Sequence, residues 1–454
     1  MRYFATLAML VLSVGSAFAQ ADDTATILAD RIDRDGQGVG IVAAVIENDA
    51  PTFTSHGMQD ANGETPVDEA TLFEIGSISK IFANLLLAQM VLDGTMDLDT
   101  PVADHLPPGT KIPDFKGKKI TLFDLATHSS GLPSIPTDLG AVDPANPYAG
   151  YGAEPFFAFL AGYTLTRAPG EQFEYSNIGI TLLAEAISHV AGAPYAELVQ
   201  SRILDPLEMS DTMLEVPQLD QLRFAGGHGL GGVTTPHWDF DIFAPAGGYR
   251  STAADLAKFA AAASGQNSTP LDAAFALMLE RTRPAASPNM QIGLGWMILT
   301  HETGKIIWHN GMTGGFNSFL GFDPESRKAA VVLANSLSQT GIEDIGFHLV
   351  NPSAPLVPQP TPRAAVEIDP ALLDNYVGTY ELGPEFQITV TAENGQLFIQ
   401  ASGQDKFPAF PESDTAFFLK VVDAQVSFET DANGKATGLV LHQNGQDVPG
   451  TRKP

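Results

Sequence analysis

Five prolines fall within the twelve positions from Asn351 to Pro362. Proline fixes φ and removes a backbone donor, so such a stretch resists helix and sheet alike and divides the chain into two folding units joined by a semi-rigid linker. At 454 residues the chain has room for a large catalytic unit and an accessory module. The expected divisions are a leader over 1–19, a first domain over 20–350, the linker over 351–370 and a small domain over 371–454.

The first unit mixes helices and strands. The run "GIVAAVI" from Gly40 is short, apolar and rich in Val and Ile, as a buried strand is. "NIGITLLAEAISHVAG" has helical spacing and closes on Gly192, with Asn177 as its candidate cap. A short helix is expected from Leu122 with Thr121 as its cap, and another in "STAADLAKFAAAAS" capped by Ser251 or Thr252. "KIIWHN", "FNSFLGFD" and "KAAVVLAN" read as three strands. Beyond the linker, "FQITVTA", "GQLFIQA", "AQVSFET" and "GLVLHQ" alternate with period two and are divided by Asn-Gly turns, the pattern of a small antiparallel β-barrel or sandwich.

Residues 1–19 place Arg2 before an apolar core and end on Ala17-Phe18-Ala19, the pattern of a secretory signal peptide, so a periplasmic or secreted location is expected. No other window offers eighteen uninterrupted apolar residues, so no membrane span is expected in the mature chain. The absence of cysteine excludes disulfides, zinc-thiolate sites and catalytic thiols. A net charge of −29 disfavours nucleic acid and anionic membranes as partners. The imbalance reflects few bases, 24, in a chain only 17% charged, and it favours solubility.

Three short motifs carry chemistry. In "FEIGSISK" Lys80 lies three residues after Ser77, at the start of the apolar run "IFANLLLAQMV". On a helix that spacing brings amine and hydroxyl to one face. Serine is a poor nucleophile until a base takes its proton, and a lysine in an apolar pocket can do so. Free N–H groups at the helix start can stabilise an oxyanion. The bland alternative is a capping Ser77 and a solvated Lys80. The second motif is Tyr175-Ser176-Asn177, whose phenol could join a proton relay near Lys80 and whose amide could bind a substrate amide. The third is His309-Asn310-Gly311 at a strand end: His309 could offer a cation or donor to a carboxylate, and Gly311 could let a substrate approach the backbone closely. Gly-x-Ser-x-Gly and His-Glu-x-x-His are both missing, which argues against the ordinary α/β-hydrolase and zinc-hydrolase readings.

In this order "FEIGSISK", "YSN" and "HNG" resemble the three active-site motifs of penicillin-recognising serine hydrolases, specifically the class C β-lactamase family. "ATHSSGLP", "APGEQFEYSNIG", "APAGGYRSTAADLAKF" and "GFDPESRKAAVVLAN" are similar to it too, so the resemblance covers about 24–350. It implies an α/β/α sandwich of antiparallel sheet flanked by helices, with a helical region between the first and third motifs. It also implies that Ser77 is acylated, Lys80 and Tyr175 share acid–base duty, Asn177 holds the substrate amide, and the backbone N–H groups of Ser77 and Met312 form the oxyanion hole. No metal or cofactor is implied. The substrate expected is a β-lactam, or alternatively a D-alanyl-D-alanine peptide of peptidoglycan or an ester. A penicillin-acylated sensor or binding protein is the non-enzymatic alternative. His309 departs from the Lys-Thr-Gly typical of class C enzymes and resembles some peptidases and esterases of the same fold. "YVGTYEL", from Tyr376, resembles the lipocalin-like modules that follow such domains, a module more simply read as a barrel filled by its own side chains.

Overall fold

The structure, a computed structural model, describes residues 23–139, 143–359, 363, 365–383, 386–404, 406–420, 422, 424–443 and 446–453. The leader expected over 1–19 lies outside the described residues. The chain divides into two compact units between Val357 and Pro358, with Arg34–Gln37 and Ser338–Thr340 belonging to the second. Val357 N–H donates to Asp344 in the first unit at 2.8 Å, and Val366 N–H donates to the Pro411 carbonyl of the second at 2.9 Å.

The first unit is built on an eight-stranded antiparallel sheet: β1 (Gly40–Glu47), β2 (Ala50–Gly57), β3 (Arg283–Pro284), β4 (Met290–Ile292), β5 (Met297–His301), β6 (Gly304–Met312), β7 (Asn317–Phe322) and β8 (Ala329–Ala334). Their spatial order is β2-β1-β8-β7-β6-β5-β4-β3. The central strands are apolar at successive residues because both faces are covered. Along β1, Val42, Ala44 and Ile46 face the large core, while Ile41, Ala43 and Val45 face a second core closed by the C-terminal helix Glu343–Val350. This is the α/β/α sandwich expected from the sequence, with the helical region inserted between β2 and β3.

Within that region α1 (Ser79–Leu92), α2 (Leu122–Ala126) and α5 (Ala253–Ala263) are buried on nearly every side, whereas α3 (Ala153–Gly162) and α4 (Asn177–Ala191) each keep a more exposed face. Local chemistry sets their ends. Thr121 and Asp124 form a capping box on α2, Thr252 caps α5, and Gly192 ends α4 in the left-handed region at φ 66°.

The second unit is a closed antiparallel barrel of eight strands, from Gly378–Gly383 to Gln446–Arg452. Its interior is filled: Tyr376 stacks on Phe428 at 4.5 Å, and Phe417, Tyr380, Leu397 and Leu439 complete the core.

Candidate active site

The nucleophile turn is held in place by its backbone. The short strand Phe73–Glu74 pairs with Arg250–Ser251, and Ile75 N–H donates to the Tyr249 carbonyl at 3.1 Å. A 3₁₀ turn over Gly76–Ile78 then runs into α1, whose N-cap is Ile78 with no side-chain cap. Ser77 is therefore not consumed in capping. Residues three apart eclipse in a 3₁₀ turn, and the Lys80 ammonium nitrogen lies 2.8 Å from Ser77 Oγ and 2.5 Å from the Ala246 carbonyl. Lys80 is fully buried, and desolvation holds its pKa well below the usual lysine value.

Gly76 lies at φ 49°, and a Cβ there would stand 2.7 Å from Met312 N, so the nucleophile turn and the end of β6 meet backbone to backbone. The amides of Ser77 and Met312 thus belong to one small region, with the Met312 side chain exposed. At Gly311 a Cβ would sit 2.0 Å from the Ile75 carbonyl and 2.4 Å from Ser318 Oγ, so the missing side chain lets the nucleophile turn approach this strand closely.

The Ser77 side chain is near enough to the Tyr175 phenol to favour its ionised form, and Lys80 Nζ stands 4.8 Å from the centre of the Tyr175 ring. Burial nevertheless pushes the phenol's pKa up, so Tyr175 stays protonated, while burial lowers the pKa of Lys80. Asn177 begins α4 but does not cap it; Ser176 does, accepting from Gly179 N at 2.9 Å, because its extended backbone aims Oγ at that N–H. The Asn177 amide is thereby released, and its Nδ2 donates to the Tyr148 hydroxyl at 2.8 Å while its Oδ1 is buried without a partner among the described residues.

His309 is 2% exposed. Its Nδ1–H donates to the Asn310 carbonyl at 2.6 Å, which leaves Nε2 as a bare acceptor. Burial, aided by the field of Lys80, lowers its pKa to about 4. The cation or donor expected of this residue is therefore not what the folded site presents at neutral pH.

Three contributors escaped the sequence reading. Tyr148 stacks on Phe240 at 4.8 Å and leans on Trp238, forming an aromatic wall behind Asn177. His128 packs its ring 4.3 Å from that of Tyr175. Ala246 contributes only its carbonyl. Of the three, His128 and Ala246 lay in stretches with a signal, "ATHSSGLP" and "APAGGYRSTAADLAKF", and Tyr148 did not. Among the described residues no cluster of three or more acidic or imidazole groups is arranged to hold a metal ion.

Residues 24–350 match the family model described as Beta-lactamase, and 362–452 match one described as Domain of unknown function (DUF3471), a description that does not name a lipocalin. The chain is 28% identical over 326 residues to the D-alanyl-D-alanine-carboxypeptidase/endopeptidase AmpH of Escherichia coli strain K12, covering 69% of this chain and 83% of that protein. It is 25% identical over 435 residues to penicillin-binding protein 4* of Bacillus subtilis strain 168, covering 91% and 94%. Among solved structures, the class C β-lactamase of Rhodobacter sphaeroides superposes with a TM-score of 0.58 at 25% identity, over 70% of this chain and 94% of that one. With its antiparallel sandwich, its Ser77–Lys80 turn and a family model that spans most of its length, the chain belongs to the Beta-lactamase family.

Proposed function

We propose that this chain is an exported serine hydrolase that opens β-lactams through an acyl ester on Ser77 and then hydrolyses that ester. The observation that carries the reading is the buried Lys80 amine, 2.8 Å from Ser77 Oγ, its pKa lowered by desolvation. Neutral Lys80 takes the Ser77 proton as Oγ attacks the carbonyl carbon. The N–H groups of Ser77 and Met312 stabilise the oxyanion. The proton then passes from Lys80 through the Tyr175 phenol to the leaving nitrogen as the C–N bond breaks. Water completes the cycle: its oxygen attacks the ester carbonyl as it gives a proton to the same relay, and the relay returns that proton to Ser77 Oγ as the ester C–O bond breaks. The opposed shifts of Lys80 and Tyr175 support lysine as the base and the phenol as the proton donor. Asn177, backed by Tyr148, is the anchor for the substrate's side-chain amide. The leader-like first nineteen residues support export to the periplasm or the medium, and no described helix is long and apolar enough to cross a membrane.

One observation favours a second reading, cleavage of a D-alanyl-D-alanine peptide or an ester. His309 replaces the lysine of the third motif and is uncharged at neutral pH, so the usual cationic hold on a β-lactam carboxylate is weakened. Stopped-flow mixing with a chromogenic cephalosporin, run beside a D-Ala-D-Ala peptide, separates the two. Sustained turnover of the cephalosporin is expected for the first. One equivalent released and then silence, with turnover of the peptide, would transfer the assignment to the second. Ser77→Ala is expected to abolish covalent labelling by penicillin while leaving the fold intact; retained labelling would refute the acyl-Ser77 ester altogether.

A further inference from the structure

His128 is the residue on which the Tyr175 loop is built. It follows α2 with its backbone in the left-handed region, φ 49°, an uncommon position for a residue with a side chain and one that marks strain held by its surroundings. Its carbonyl accepts Glu174 N–H at 2.7 Å, and its ring Nδ1 accepts Ser176 N–H at 3.1 Å. The N–H groups of the residues immediately before and after Tyr175 are thus both taken by one residue. The same ring lies 4.3 Å from the Tyr175 ring at an interplanar angle of 36°, and Phe173 closes on it edge-on at 6.0 Å. Because Nδ1 accepts, the ring proton must sit on Nε2, which is buried with no partner among the described residues. Protonating Nδ1 would set two donors face to face, and burial together with the fields of Lys80 and His309 opposes that protonation.

We infer that His128 is a positioning residue for the proton relay: as a neutral imidazole it holds the N–H groups of the residues on either side, Glu174 and Ser176, and backs the Tyr175 ring, fixing the phenol over Ser77. The inference rests on the assignment of Tyr175 as proton donor, so its test keeps the two apart. The readout is the pre-steady-state burst of chromogenic cephalosporin opening, a reaction whose leaving nitrogen needs a proton, per Ser77 site titrated with a fluorophosphonate. His128→Phe keeps an aromatic ring but has no acceptor, and a displacement of order 1 Å is enough to slow the burst about 10²-fold. In a Tyr175→Phe background the same substitution should change the burst by less than about twofold, because a residue acting through the phenol has nothing left to act on. His128→Asn, whose Oδ1 takes the place of Nδ1 and whose backbone tolerates the left-handed region, should recover most of the lost rate. If His128→Phe does not fold, His128→Gln, which moves the acceptor by one bond, serves in the same cycle. Equal slowing in both backgrounds, or no slowing in the wild-type background, overturns the inference while leaving Tyr175 in place. A Tyr175→Phe enzyme that bursts at the wild-type rate removes the assignment of Tyr175 and the inference with it.

Discussion

Lys80 sits where no lysine would be chosen for stability. In the unfolded chain its amine takes a proton near pH 10.4, whereas in the fold it is fully buried, faces a hydroxyl and a carbonyl, and its pKa is well depressed. The sign follows directly: between the folded and unfolded values the unfolded state holds one more proton, so stability falls as pH drops through that window. Lys80→Met, close in volume and without the amine, is expected to melt at a higher temperature than the wild type. Its advantage should widen as pH falls from about 10.4 and level off below the folded pKa. Acylation of Ser77 should fall by at least about 10²-fold in the same variant. Thermal melts across pH check the first expectation, and a variant that melts lower at every pH contradicts it. His309 yields a separate expectation. With its pKa near 4, it gains a proton only below the range in which the enzyme would be assayed. The KM of a carboxylate-bearing substrate should therefore show no inflection near the usual imidazole pKa of about 6.5. His309→Lys should lower that KM, and weaker binding by the lysine variant would exclude His309 as the carboxylate contact.

At the scale of elements, the site is a contact between a turn and a strand end. Gly76 and Gly311 allow the 3₁₀ turn to rest directly on β6, with Ser318 Oγ donating to the Ile75 carbonyl at 2.8 Å. Any Cβ at Gly76 would meet Met312 N at 2.7 Å, in a backbone conformation that a side chain disfavours. Gly76→Ala is expected to push the two amides of the oxyanion hole apart and cost about 10²- to 10³-fold in kcat, with KM changed far less. Steady-state kinetics decide it, and a KM-only effect would place the oxyanion elsewhere. The start of α4 obeys a related logic. Ser176, not Asn177, satisfies the orphan N–H of the first turn, so the side chain next to it is free to meet Tyr148. Neighbouring Ser and Asn are both good caps, and one-dimensional propensity does not choose between them.

At the scale of the molecule, the hydrolase unit and the barrel have separate cores, so each should report its own damage. Phe428→Ala removes the ring on which Tyr376 stacks and is expected to destabilise the barrel by about 3 to 5 kcal/mol. Calorimetry should then show one transition shifted down and the burst at Ser77 retained; loss of the burst would mean that the barrel supports the site. The division into two units, the strands β1, β6, β7 and β8 of the sandwich, several strands of the barrel and the Ser77–Lys80 pairing were legible in the chain, because each is written in residues close in sequence. Proline density breaks regular structure locally, period-two alternation needs only a strand, and a spacing of three needs only one helical turn. The tertiary structure alone decided that His128 clamps the Tyr175 loop, that Tyr148 holds Asn177, that the Ala246 carbonyl receives Lys80, and that the nucleophile turn rests on Gly311. The hydrogen-bonded partners among these are separated by 29 to 166 positions, and only burial in a shared core, which also lowers the pKa of Lys80 and of His309, brings them within reach.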